Sequence, residues 1–304
     1  MDYAFVTVDV FTTNRFGGNP LAVIPDAHGL ADRQMQQIAA EFNYSETTFV
    51  LPPSRPDATA RVRIFTPTTE VPFAGHPNVG TAFVLAQQGT LFGQPVGDQL
   101  RFEERAGLVA VHIRREGGAV VGAAITAPQP LSVGPELPAG LVAACASLGV
   151  GEVAVDAHPP QIASVGLPFA IARLTSREAL ARARPSPQHF AEADRAFPYK
   201  PAGFSLFLYV PLDPTCTTLA ARMFAPLDNV PEDPATGSAS AALAAFLVAR
   251  SPAADADVMM ALYQGEDMGR PSQIELVVEK RAGSVTRVVV GGACVPVMRG
   301  TLSV

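Results

Sequence analysis

Lysine is nearly absent: it occurs at Lys200 and Lys280 alone, and arginine supplies the rest of the positive side-chain charge. A mechanism built on a lysine Schiff base has few candidates here. Cysteine is almost as scarce. Cys145, Cys216 and Cys294 are odd in number and far apart, with no CxxC spacing and no histidines at metal-ligand intervals. No metal site is expected, and all three are read as core residues, Cys145 most clearly within the apolar run 141–145. Charged residues make up only 16% of the chain and the net charge is −6, so nothing electrostatic favours nucleic acid or an anionic membrane as a partner. No apolar run approaches the ~20 residues needed to cross a bilayer. Residues 1–5 lead directly into alternating apolar positions without a basic n-region, so no signal peptide is expected and a cytoplasmic location is the default.

What the sequence does have is a large apolar fraction, 48% of 304 residues, which is enough for two domains with separate cores. It also has a repeat. The stretch 63–82 contains Arg63, Phe65, Pro67, Val71 and Pro72, and the stretch from 222 matches it in register with Arg222, Phe224, Pro226, Val230 and Pro231. Each copy reads as a short strand, a proline-bearing loop and a turn of small residues, 74–77 or 235–238, that opens a helix. The helices read from these turns, around 79–86 and 239–248, are apolar on every side. A helix of that kind must be surrounded by protein. Each is therefore expected to be the core of its own half, wrapped by strands, with its amino end at the mouth of that half, where unpartnered N–H groups attract an anion.

Periodicity supplies the remaining elements. Residues 3–11 alternate, with Ala4, Val6, Val8 and Val10 on one face, as in a half-buried strand. Strands are also expected at 21–24, 45–51, 60–65, 100–104, 108–115, 119–125, 169–174, 204–210, 258–263, 273–279 and 285–291. A turn at 116–118 makes a hairpin of two of them. Met35, Ile38, Ala39 and Phe42 have helical spacing within 31–42, which Asn43 ends, and Gly89 is the stop for the first core helix. Further helices are expected at 139–148 and 177–183. The proline-rich passage 127–138 is the best linker, giving halves 1–128 and 129–304, with the final strand allowed to return to the first half. Pro185, Pro187 and Pro198 suggest a long loop over 186–200.

Several polar residues stand among small or apolar neighbours. Glu46 precedes the apolar run 49–51, whose hydrophobic wall would raise its pKa toward neutrality and suit it to acid–base work. Taken alone it also reads as an exposed carboxylate at the start of a strand. His76, between Gly75 and Pro77, reads equally as a helix cap or a catalytic group. Asp233 before Pro234 reads in isolation as a turn residue. Gly237 and Ser238 offer N–H groups and a hydroxyl at the second helix start. The repeat changes the balance, because two related halves can turn both helix starts toward one cleft, where paired amino ends favour a small carboxylate by ~0.3–1 kcal/mol each.

Segments 16–23 (FGGNPLAV), 43–47 (NYSET), 73–77 (FAGHP), 232–239 (EDPATGSA) and 269–272 (GRPS) occur in an order that resembles the PhzF family of phenazine-biosynthesis-like isomerases over nearly the whole chain. The resemblance implies the α+β diaminopimelate epimerase fold, two similar halves each with a strand-wrapped central helix and an active site between them. It also implies a homodimer and isomerisation of trans-2,3-dihydro-3-hydroxyanthranilate without metal or organic cofactor. By position, Glu46 resembles the proton-shuttling group, and His76 and Asp233 its polar partners. Gly75, Gly237 and Ser238 resemble the groups that hold the small carboxylate substrate, joined by Asn19 of the first segment. The related epimerases and racemases place a cysteine at each helix start. Ala74 and Thr236 stand there instead and cannot act as thiolate bases, so a two-thiol racemase is not expected. Two alternatives stay open: an isomerase or epimerase of an unrelated metabolite, since family does not fix substrate, and a non-catalytic protein that binds small carboxylates. Specificity is assigned to loops such as 186–200.

Overall fold

The helix that follows the first turn of small residues is longer than its apolar run. In a computed structural model that describes residues 1–198 and 203–304, it extends over Gly75–Gln88, and every residue from Gly75 to Ala86 is buried. Six α-helices occur among the described residues: α1 Asp32–Phe42, α2 Gly75–Gln88, α3 Ala139–Cys145, α4 Arg177–Arg182, α5 Pro187–Ala196 and α6 Gly237–Ala249. The chain is a mixed α/β protein of many strands, and it divides into two compact units, 1–126 with 291–304, and 127–290.

In the first unit α2 packs on the strands Asp2–Val10, Asn19–Ile24, Glu46–Leu51, Gly107–Glu116 and Ala119–Thr126. Gly80 permits the close approach, because a Cβ there would lie 2.6 Å from Leu21 Cδ2 and 2.7 Å from Val10 Cγ2. Asn19–Ile24 runs antiparallel to Asp2–Val10 and parallel to Glu46–Leu51, with Leu21 opposite Glu46. That register sets the height of Glu46 against the helix. Asp2–Val10 is not half-buried by simple alternation: Tyr3, Thr7 and Asp9 are buried as well as Val8 and Val10, whereas Ala4 is exposed. Its other neighbour is the last strand, Ser284–Ser303, far longer than the expected 285–291. The pairing slips between Thr7 and Val8, opposite Pro296, where proline has no N–H to give to the ladder.

In the second unit α6 has ten of its 13 residues buried and packs on Gln161–Ser164, Pro168–Arg173, Ala256–Gln264 and Ser272–Arg281. Thr218–Ala225 is parallel to Ala256–Gln264, and Val230–Asp233 folds back on it with Met223 opposite Asp233. That fold-back delivers Asp233 to the start of α6. Each Val, Leu or Phe buried along these two helices contributes about 1.5–3 kcal/mol of transfer free energy.

Two expectations fail. The passage 186–200 holds α5, not a loop: Pro187 occupies its first turn and Pro198 follows its end, so the prolines bracket a helix. Tyr199 and Lys200 lie outside the described residues. Helix α3 stops at Cys145, short of Leu148. Asn43 and Gly89 end α1 and α2 as expected, both left-handed, with φ of 54° and 75°.

Candidate active site

Glu46 is the first residue of its strand, and its side chain is 18% exposed, so it is not the exposed carboxylate its position alone would allow. Its Oε2 lies 3.6 Å from His76 Nε2. This is beyond hydrogen-bond range, and it is not an ion pair either. Burial pushes the His76 pKa down to about 3, so at neutral pH the imidazole is uncharged and stands beside the Glu46 carboxyl without neutralising it. His76 Nε2 has no hydrogen-bond partner.

His76 does not cap α2. The cap position is Ala74, extended at φ −152°, with no side-chain cap, and Gly75 and His76 are the first two helical residues. No acidic residue sits in the first turn, and Pro77 carries no N–H, so the amino end presents few donors and no compensating charge. Asn19, fully buried, accepts from Ser45 Oγ at 3.2 Å, which ties it to the residue just before Glu46. The first unit therefore gathers Glu46, His76 and Gly75 around one helix start, with Asn19 one residue removed.

The second unit holds Asp233, Gly237 and Ser238. Asp233 is more than a turn residue: its Oδ2 accepts from Thr236 Oγ1 at 2.6 Å, while its carbonyl accepts from Gln264 Nε2 at 2.7 Å. Gln264 also takes the Thr236 N–H on Oε1 at 3.1 Å and donates to Thr236 Oγ1 at 3.0 Å. The hydroxyl at the helix start is thus committed to locking the carboxylate. Gly265 lets the next turn close over this network, since its φ is 78° and a Cβ would lie 2.6 Å from Pro234 O. Ser272 Oγ then donates to Pro234 O at 2.9 Å. Gly237 is buried and Ser238 half-buried at the start of α6, whose first turn also lacks an acidic residue. Sequence reasoning missed Gln264. The one available signal was its place just ahead of the 269–272 segment.

The thiols stand apart from this chemistry. Cys145 and Cys294 are buried, and burial pushes both pKa values up to about 12. Cys216 is not a core residue: it is half-buried at φ 56°, in a loop whose backbone is held by Asp213. Among the described residues, no helix is long and apolar enough to cross a membrane.

The chain is similar to known proteins over nearly its whole length. An uncharacterised isomerase of Mesorhizobium japonicum is 37% identical over 303 residues, covering 98% of both chains. The trans-2,3-dihydro-3-hydroxyanthranilate isomerase of Pseudomonas chlororaphis is 35% identical over 307 residues, again covering 98% of both. The crystal structure of a PhzF-family phenazine biosynthesis protein from Bacillus anthracis superposes over 100% of both chains with a TM-score of 0.85 at 23% identity, a likeness of fold. Residues 8–300 match the family described as phenazine biosynthesis-like protein, and the chain belongs to this PhzC-PhzF family.

Proposed function

We propose that this chain is an isomerase that moves a proton from one carbon to another within a small cyclic carboxylate, with Glu46 as the acid–base group. The reading rests above all on the half-buried carboxyl of Glu46 beside a neutral His76, at a helix start that has no capping side chain. A carboxylate there can take a proton from a substrate carbon, becoming the neutral acid, and return the same proton to a different carbon. His76 remains uncharged throughout and orients the carboxyl or the substrate polar group between them. Asp233, Gly237 and Ser238, at the start of α6, are assigned to holding the substrate while Glu46 acts. Relatives at about 35% identity that act on trans-2,3-dihydro-3-hydroxyanthranilate make that compound the first substrate to try.

The test is turnover of that compound by the purified protein and by Glu46→Gln, which keeps the size of the side chain but cannot carry the proton. General acid–base catalysis is worth ~10²–10⁴-fold, and the variant should lose at least that factor. Equal turnover by the two proteins, with structure intact, would remove Glu46 from its role.

A further inference from the structure

A buried carboxyl lies beside the first turn of the first unit's central helix, and the reaction above does not use it. Glu104 ends the strand Gln99–Glu104, and its side chain is buried, with only 8% of the residue exposed. Neither of its oxygens is in a well-formed hydrogen bond. The polar side chain that acts on it is Asn78, in the first turn of α2, two residues after His76. Asn78 is itself fully buried. Its Nδ2 donates to the Ala74 carbonyl at 3.0 Å, and its Oδ1 meets no donor. The turn after Glu104 is fixed to the approach of the same helix, because Ala106 N–H donates to Pro72 O at 3.0 Å.

One proton would satisfy both orphaned groups. We propose that Glu104 is a positioning residue held as the neutral acid, which donates to Asn78 Oδ1 and so fixes the Ala74–Gly75–His76 start of α2. Burial supports this, since it pushes the Glu104 pKa up to about 8 and outweighs the Asn78 side chain, whose amide pulls it the other way. No nearby charge opposes it: Arg61 and Arg63, Glu70, His76, Arg105 and His112, on the surrounding elements, do not act on the carboxyl. Ionisation would place a negative charge beneath the helix start that is assigned to the substrate carboxylate. The catalytic consequence rests on the proposed function; the protonation does not.

Two measurements separate these. Above the unfolded carboxyl pKa of about 4.3 the unfolded chain releases this proton while the folded chain keeps it, so wild type should lose stability relative to Glu104→Gln as pH rises to about 8 and no further beyond it. In parallel, KM for an anionic substrate should rise several-fold in wild type between pH 7 and about 9.5, with kcat changing less. The Glu104→Gln variant, neutral throughout, should hold near the wild-type pH 7 value. A flat stability difference overturns the protonation whatever the enzyme does, and an alkaline limb that persists in Glu104→Gln overturns the positioning role. If Glu104→Gln does not fold, a glutamate carboxyl carbon signal titrating near pH 8 in labelled Glu46→Gln protein reads the same proton, and its absence is equally decisive.

Discussion

The two copies of the repeat keep one clamp and diverge in what they attach to it. In the first unit Arg63 stacks over Phe65 at 5.1 Å and grips Glu70 through Nε and Nη2 at 2.9 and 2.8 Å. In the second, Arg222 stacks over Phe224 at 5.0 Å and grips Glu232 in the same two-pronged way at 2.7 and 2.8 Å. The carboxylates, however, lie seven residues after one arginine and ten after the other. Geometry has been kept while its position in sequence moved, because what the fork needs is a carboxylate in plane, from any point on the returning chain. The helix starts beyond the clamps differ more. The first carries an ionisable pair, Glu46 and His76, and the second a closed hydrogen-bond network of Asp233, Thr236 and Gln264. One half presents a carboxyl beside a neutral imidazole and the other a carboxylate braced by hydrogen bonds.

The clamps also differ in burial, and this sets the largest expected effect on stability. Arg222, 4% exposed, donates through Nη1 to the carbonyls of Leu180, Ala181 and Ala183 at the end of α4. Arg222→Ala strands a carboxylate and three carbonyls together, and should lower unfolding free energy by about 3–5 kcal/mol in denaturant titration. Arg63→Ala leaves Glu70 still in reach of Arg105 and should cost about 1–3 kcal/mol. Equal losses would mean that the two clamps are interchangeable.

A smaller effect follows from His76. Its folded pKa is depressed, so the unfolded chain binds the extra proton as pH falls below about 6.5. Wild type should therefore lose stability from there down toward pH 3, and His76→Gln should lose less over the same range. Parallel curves for the two proteins would show that the imidazole is not held neutral. Smallest of all is the effect of the thiols: replacing Cys145, Cys216 and Cys294 by Ala or Ser should leave turnover unchanged in a folded protein, because none stands at a helix start. Complete loss of turnover in that folded variant would restore a thiol mechanism.

Much of this was legible in sequence where one local rule decided the outcome. All-round apolarity marked α2 and α6, and Asn43 and Gly89 marked helix ends through their left-handed conformation. The motifs named Glu46, His76 and Asp233. What stayed hidden depends on partners distant in the chain. Prolines that bracket α5 look like prolines that prevent a helix until the flanking turns are known. The pairing of Arg222 with Glu232 cannot be read from the register of Arg63 and Glu70. Gln264 and Glu104 sit on strands that periodicity locates, but nothing in periodicity says that one braces Asp233 and the other faces Asn78.

The division of labour between the two helix starts is tested most directly by kcat and KM of Glu46→Gln and Ser238→Ala, measured side by side on one verified substrate. Loss of a group that acts in the transition state lowers kcat, whereas loss of a group that only holds substrate raises KM. Glu46→Gln should lower kcat by ~10²–10⁴-fold with KM little changed, and Ser238→Ala should raise KM by more than it lowers kcat. A Ser238→Ala enzyme whose kcat falls as far as that of Glu46→Gln would contradict it.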